Sequence, residues 1–281
     1  RKTYPSPHCS VFEGENDGDR KKNSLVVTST QSNHRKHGDI GRYQMKLKPL
    51  AAPDYWDFPS TPDQTCLVTD DGSSTTAQVA QSLLNQGWQV VVLSFPQFLI
   101  PVRSSLPAGV RHFVLNHLSE EHLQAQLGDI FKTCGLIGTF IHLHPLLQGF
   151  NQDQETSINS DQAIVKQVFL LAKHLKSSLT QAASQGRSCF LSLTRLDGEF
   201  GLSGKREFSP ISGGLFGLTK TLNLEWESVF CRALDISPDL DEMTTAQIVL
   251  AELHDPNSLI QEVGYTPKGR MTLTCELASL S

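Results

Sequence analysis

GGLFGLTKTLNLEWESVFCRALDISPD, residues 213–239, decides the fold. Leu215, Leu218 and Leu222 recur at three and four residues, the spacing of one helical face, so Gly213–Val229 is expected to be helical with Trp226 at its end. CRALDI (231–236) follows as an apolar strand. A helix that feeds a strand within a few residues is the repeating unit of an α/β protein.

Outward from this stretch the alternation continues. SCFLSLTRL (188–196) reads as a strand, and Ile164, Val165, Val168, Phe169, Leu171, Ala172 and Leu175 give Asp161–Ser184 a 3.6-residue period. LIGTFIHLHP (136–145) is a strand ended by Pro145, and SEEHLQAQLGDIFKTCG is a helix with Ser119 as N-cap and an acidic first turn. VRHFVLNHL (110–118), WQVVVLSF (88–95) and TCLVTDD (65–71) are further strands; the second is apolar on both faces, as a strand covered on both sides must be. Ser73–Gln86 is a helix stopped by Gly87. Downstream, Asp241–His254 is helical and GRMTLTCEL (269–277) extended, while RYQMKLKPL (42–50) alternates like a half-buried strand and AAPDYWDFPSTPD is a Pro-punctuated crossing loop. Six or seven strands alternating with helices predict an α/β, Rossmann-like, doubly wound parallel sheet with right-handed crossovers.

The chain has 281 residues, 38% of them hydrophobic, and a net charge of −5, enough apolar material for one large domain or two small ones. No run of about 18 apolar residues exists to span a bilayer. Residues 1–50 carry ten Lys/Arg against five Asp/Glu, whereas 51–281 carry 14 against 24. A body that acidic is a poor match for nucleic acid. Residues 1–41, with GENDGDRKKNS and TQSNHRKHGD, lack apolar periodicity and are expected to be a disordered polar linker, a basic nucleic-acid arm being the alternative; the folded domain is expected over 42–281. Cys9, Cys66, Cys134, Cys189, Cys231 and Cys275 show no zinc spacing, and Cys66 and Cys189 lie in apolar runs as small hydrophobes. The start RKTYPSPHCS lacks the apolar core of a signal peptide, which points to a reducing cytoplasm, and both ends read as cuts from something longer.

RYQMKLKPL, CLVTDDG, GWQVVVLSFP, FIHLHP, LTRLDGEFG and residues 213–239 together resemble the short-chain dehydrogenase/reductase family. The likeness is to the ketoreductase region of type I polyketide and polyunsaturated fatty acid synthases, over about residues 42–277. A helix of the form G-L-x-K/R-x-L-x-x-E-W entering a strand R-A-x-D-x-x-P carries most of it. The resemblance implies two Rossmann-like halves, the first a structural buttress and the second binding NADPH to reduce a β-keto thioester. An acyl carrier protein with its phosphopantetheine arm would deliver that substrate.

Three chemical requirements of the reductase test which half this is. A pyrophosphate needs glycines in the first βα turn, T-G-x-x-x-G-x-G, so that the backbone can approach it. With Thr69 as the threonine, the glycine positions hold Asp70, Ser74 and Thr76, so no cofactor-binding residue is expected here. Asp70 and Asp71, read as a solvated turn, would face a phosphate with like charge, at about 4 kcal/mol for a pair about 4 Å apart at an effective dielectric near 20. The proton donor is a Tyr tuned by a Lys four residues on. Counting back from Gly217 places Phe208 and Ser212 there, so no catalytic residue is expected, and Lys220 falls at the family's later Lys/Arg position. The turn after the fourth strand, normally N/H-x-A-G, holds the bulky His144 and Pro145 after His142 and Leu143. His142 and His144 share a strand face, but no third ligand is spaced to complete a metal site. Ser192 or Thr194 stands near the usual catalytic serine.

The losses agree with one another and imply the non-catalytic scaffold half of a ketoreductase, with no cofactor of its own and the NADPH-binding half and the carrier protein as partners. A free-standing NADP-dependent short-chain reductase with an aberrant site is the alternative. A phospho-acceptor module is disfavoured, because LTRLDG offers Arg195 where such a module needs Lys.

Overall fold

The computed structural model describes residues 42–58, 64–145, 154–204 and 208–277; the linker expected over 1–41 lies outside them. The elements are β1 (Tyr43–Pro49), β2 (Gln64–Thr69), α1 (Ser74–Asn85), β3 (Gln89–Ser94), β4 (Arg111–Val114), α2 (Glu120–Cys134) and β5 (Leu136–Leu143). They continue as α3 (Gln154–Ala183), β6 (Cys189–Thr194), α4 (Gly214–Glu225), β7 (Phe230–Ile236), α5 (Glu242–His254), β8 (Glu262–Thr266) and β9 (Gly269–Leu277).

Among the described residues nine strands form one sheet in the order β1-β9-β8-β7-β6-β5-β2-β3-β4. The pairs from β4 to β8 are parallel; β9 runs antiparallel to both β8 and β1. The expected parallel sheet is therefore mostly parallel, closed at one edge by an antiparallel pair. Alternate side chains of one strand feed different layers. Leu67, Val91, Phe140 and Phe190 pack under α2, α3 and α4, whereas Cys66, Val68, Val90, Val92 and Leu191 pack under α1 and α5. This is why the central strands are apolar without alternation.

Local signals set the helix starts. Ser73 accepts from Thr75 N–H, Ser119 from His122 N–H and Asp241 from Thr244 N–H, each satisfying an amide the helix leaves open. Two ends differ from expectation. α4 stops at Glu225, because Trp226 leaves helical geometry and turns its ring into the core, edge-on to Phe190. α3 starts at Gln154, seven residues before the expected start at Asp161.

Beside β7 the core holds charge. Arg232 and Arg270 both bind Glu252 and Asp255, and Tyr265 O–H donates to Glu252. Arg270 also donates to Ala51 O, tying the crossing loop to the sheet edge. Further along that loop, Tyr55 stacks on His254 and Phe58 meets Trp88 edge-on. Beyond Met271, β9 pairs only with β1, so Thr272–Leu277 and Tyr43–Lys48 form a two-stranded ribbon, with Tyr43, Met45 and Leu277 exposed.

Candidate functional site

From β2 the chain steps to β3 and β4 on one side, then returns to place β5 on the other side of β2. The crevice beyond the carboxyl ends of β2 and β5 is the switch point, where open α/β sheets bind their ligands. Thr69–Asp71, His142–Pro145 and the residues after β6 border it.

The turn after β2 is saturated by its own side chains. Asp70 is buried; it accepts Gly72 N–H at 2.9 Å and Ser94 O–H at 2.6 Å, and Ser94 Oγ lies 2.8 Å from His112 Nε2. Burial holds His112 below its ordinary range, against the nearby charge of Asp70. Asp71, also buried, accepts Ser73 N–H at 3.0 Å, Ser73 O–H at 2.8 Å and Thr76 O–H at 2.7 Å. The solvated turn expected for these aspartates is therefore corrected: both carboxylates face inward and cap the turn. Asp71 N–H donates to Thr76 Oγ1 and Thr75 N–H to Ser73 Oγ. The amides of residues 71, 72, 73 and 75 are thus occupied by side chains, and these are the groups a nucleotide-binding turn offers to phosphate. Ser74 opens α1, half-buried.

Gly72 has φ +79°, and a Cβ there would lie 2.6 Å from Ile100 Cγ2 and 2.7 Å from Val102 O. The segment after β3 is pressed onto the turn, held by Arg103, whose Nη2 donates to Phe95 O at 2.7 Å. On the other side Arg195, at the end of β6, reaches over β5. Its Nη2 donates to Thr75 Oγ1 at 2.7 Å and stands 3.6 Å from Asp71 Oδ2.

The crevice floor is a buried polar chain. Thr69 Oγ1 lies 2.8 Å from His142 Nδ1, His142 Nε2 lies 3.3 Å from His144 Nδ1, and His144 Nε2 lies 3.0 Å from Asp161 Oδ1. Burial, then the neighbouring His144, holds His142 well below its ordinary range, so its ring is neutral. The shared face expected for the two histidines is present, with Asp161 at the end of the chain. Among the described residues no group of three or more His, Cys, Asp or Glu is placed to hold a metal ion.

Phe208 packs on Gly201, where a Cβ would lie 2.6 Å from its ring, and against the cluster of Leu196, Phe216 and Ala233. Ser212 is buried and donates to Ser209 O at 2.8 Å. Ser192 Oγ is 2.7 Å from Thr219 Oγ1, and Thr194 donates to Leu234 O at 3.2 Å. Lys220, half-exposed, pairs with Glu262 at 2.9 Å.

Two aspartates that sequence reasoning passed over organise the loop after β6. Asp197 accepts the N–H groups of Glu199, Gly201 and Ser203; these bonds outweigh burial and hold its carboxyl below the ordinary range. Asp235, fully buried, accepts Leu196 N–H and Phe200 N–H, each at 2.8 Å. Burial and the neighbouring Asp197 push its carboxyl up to about 6. The signals were present: an Asp-Gly turn at 197–198 and a lone acid within an apolar strand.

No protein-family model matches the chain. Over 232 residues it is 26% identical to a polyunsaturated fatty acid synthase polypeptide of Thraustochytrium sp., a match covering 80% of this chain and 8% of that protein. The chain therefore spans less than a tenth of that relative's length. Among solved structures it is similar to a keto acid-selecting NRPS module containing adenylation, ketoreductase and pseudo-Asub domains (TM-score 0.63, 14% identity, 84% of this chain, 18% of that one). It is also similar to an apo SCOR enzyme from Clostridium thermocellum (TM-score 0.56, 10% identity, 71% and 89%) and to a Serratia marcescens short-chain dehydrogenase/reductase (TM-score 0.53, 13% identity, 71% and 94%). At these identities the structural likeness establishes the fold, that of the short-chain dehydrogenases/reductases. Among the described residues no helix is long and apolar enough to cross a membrane.

Proposed function

We propose that residues 42–281 are the non-catalytic scaffold half of a ketoreductase region in a multidomain polyketide or polyunsaturated fatty acid synthase, with residues 1–41 as its linker. In this reading the domain buttresses a second half, which binds NADPH and reduces a β-ketoacyl thioester carried on the phosphopantetheine arm of an acyl carrier protein. The whole would work in the cytoplasm.

The observation that carries the reading is the closed switch point. A dinucleotide needs free amides and an open backbone at the first βα turn. Here the amides bond to Asp70, Asp71, Ser73 and Thr76, Ile100 and Val102 lie on Gly72, and Arg195 clasps Asp71 from beyond β5. The residues present do not fit the coenzyme, and no hydride-transfer step is assigned to this chain. Phe208 and Ser212, where a proton donor and its tuning base would stand, are spent on packing and on a backbone carbonyl. The protruding β1–β9 ribbon supports the buttress role, because a two-stranded ribbon exposed on both faces is marginal in water without a partner.

Titrating the 281-residue chain with NADPH, read by calorimetry, tests the reading. No saturable binding is expected up to about 1 mM, weaker than about 4 kcal/mol of binding free energy. Saturation at micromolar NADPH would overturn it and favour the free-standing reductase.

A further inference from the structure

β1 is the last strand of the sheet: one of its edges pairs with β9, and the other meets no strand among the described residues. The outward N–H and C=O groups of that second edge are open to a further strand. Residues directly opposite in an antiparallel pair share a face, so the register sorts the ribbon's side chains. One face is apolar, built by Tyr43 with Leu277, Met45 with Cys275 and Leu47 with Leu273. The other is polar, built by Gln44 with Glu276, Lys46 with Thr274 and Lys48 with Thr272. Lys46 reaches diagonally to Glu276 at 2.6 Å. Lys48 faces a threonine instead and, like Arg42 just before the strand, has no carboxylate partner among the described residues. Arg42, Tyr43, Met45 and Lys48 are all exposed.

These features select what can add to the edge. A second copy of the chain, paired β1 to β1, would set Lys46 and Lys48 against lysines, and like charges across strands are destabilising. An acidic strand meets the opposite situation. Its carboxylates complement Arg42 and Lys48, and the excess of Asp and Glu over residues 51–281 repels it from the rest of the domain. We propose that the open edge of β1 takes up an extended peptide whose side chains alternate between apolar and acidic. The apolar residues would continue the strip of Tyr43, Met45 and Leu47, and the acidic ones would lie over Lys46, Lys48 and Arg42. Main-chain hydrogen bonds give such strand addition its affinity, and the alternating side chains give it specificity. The third strand also widens an apolar face that two strands alone hold only marginally in water. The surface belongs to this chain and does not depend on the scaffold reading.

The test follows the anisotropy of fluorescein-labelled Val-Glu-Val-Glu-Val-Glu-Val as the full chain is added. Its glutamates can stand opposite Gln44, Lys46 and Lys48. Two control peptides separate charge from alternation: the same peptide with Lys for Glu, and the block peptide Val-Val-Val-Val-Glu-Glu-Glu. Saturable binding of the alternating Glu peptide is expected, with each control weaker by about tenfold, the sum of a few cross-strand charge pairs. Arg42→Glu combined with Lys48→Glu changes only exposed side chains and should invert the preference between the Glu and Lys peptides. No saturation, equal binding of the Glu and Lys peptides, equal binding of the alternating and block peptides, or a preference unchanged in the double variant would each overturn the proposal. Sedimentation of the chain alone covers the other occupant: a dimer that excludes the peptide would assign the edge to a second copy and overturn it as well.

Discussion

Arg195 Nη2 stands 3.6 Å from Asp71 Oδ2, so one guanidinium joins the end of β6 to the turn after β2 across the end of β5. The pair is almost wholly buried, at 4% and 1% side-chain exposure. It closes the turn after β2 with charge internal to the chain.

That arrangement makes the two partners unequal. Asp71→Ala strips the acceptor from Ser73 and Thr76 and leaves the buried Arg195 with Thr75 as its partner among the described residues. Breaking a buried pair in this way costs about 3–5 kcal/mol. Arg195→Met removes the cation but leaves Asp71 its three hydrogen bonds from Ser73 and Thr76. Urea unfolding should therefore show Asp71→Ala clearly less stable than Arg195→Met. Equal losses would mean that the clasp and not the turn dominates.

Restoring the proton donor will not restore chemistry. Phe208→Tyr with Ser212→Lys supplies a phenol and an amine, but the amides of the turn remain bonded to Asp70, Asp71, Ser73 and Thr76. The lysine would also enter a buried position, since Ser212 is 4% exposed, and desolvation disfavours its charge. With a β-keto thioester and NADPH, the double variant should show no loss of NADPH absorbance above background. Measurable turnover would show that the turn admits NADPH and would overturn the proposed scaffold role.

Trp226 tests the packing that the opening stretch encodes. It is 4% exposed, at the end of α4, and its ring meets Phe190 edge-on at 5.8 Å in the layer beneath α2, α3 and α4. Trp226→Ala should lower stability by about 3–5 kcal/mol, the cost of a large aromatic cavity. An unmoved thermal midpoint would show that the ring is not in the core.

The strand and helix order was legible because it rests on local periodicity. QVVVLS has no polar interruption since α1 and α5 cover one face of the sheet and α2, α3 and α4 the other. β8 was missed because EVGYT is only five residues long and its alternation of Val263 and Tyr265 is interrupted by Gly264. Its glycine is a packing requirement, since a Cβ on Gly264 would overlap Gly198 O from a loop 66 residues earlier in the chain. The composition of the turn after β2 was legible too, as three absent glycines. Its burial was not, because the segment that covers it follows β3, and no local pattern shows where Ile100 and Val102 fold back. Non-local contacts of this kind also turned Asp70 and Asp71 from solvent to core.

Asp235 gives the domain a pH dependence whose sign is fixed by burial. Its carboxyl ionises near 3.8 when unfolded and at about 6 when folded, because burial outweighs the hydrogen bonds from Leu196 and Phe200. Folding therefore favours the protonated acid. The stability this contributes is complete below the unfolded value and is lost as pH rises through about 6, a change of about 3 kcal/mol at 1.36 kcal/mol per pKa unit. His142 acts in the opposite sense: held neutral by burial, it costs stability as pH falls through its ordinary value of 6.5. Asp197, held low, loses its contribution only below the ordinary carboxylate value of 3.8. The difference between wild type and Asp235→Asn isolates the one residue from these opposing terms. Asparagine offers one acceptor oxygen to two amides and does not titrate, so the variant should be the less stable near pH 4 and should gain on wild type by up to about 3 kcal/mol by about pH 7. Urea unfolding at a series of pH values measures that gap. A gap that stays constant with pH would show that Asp235 ionises at the same pH folded and unfolded, so that burial does not raise its carboxyl.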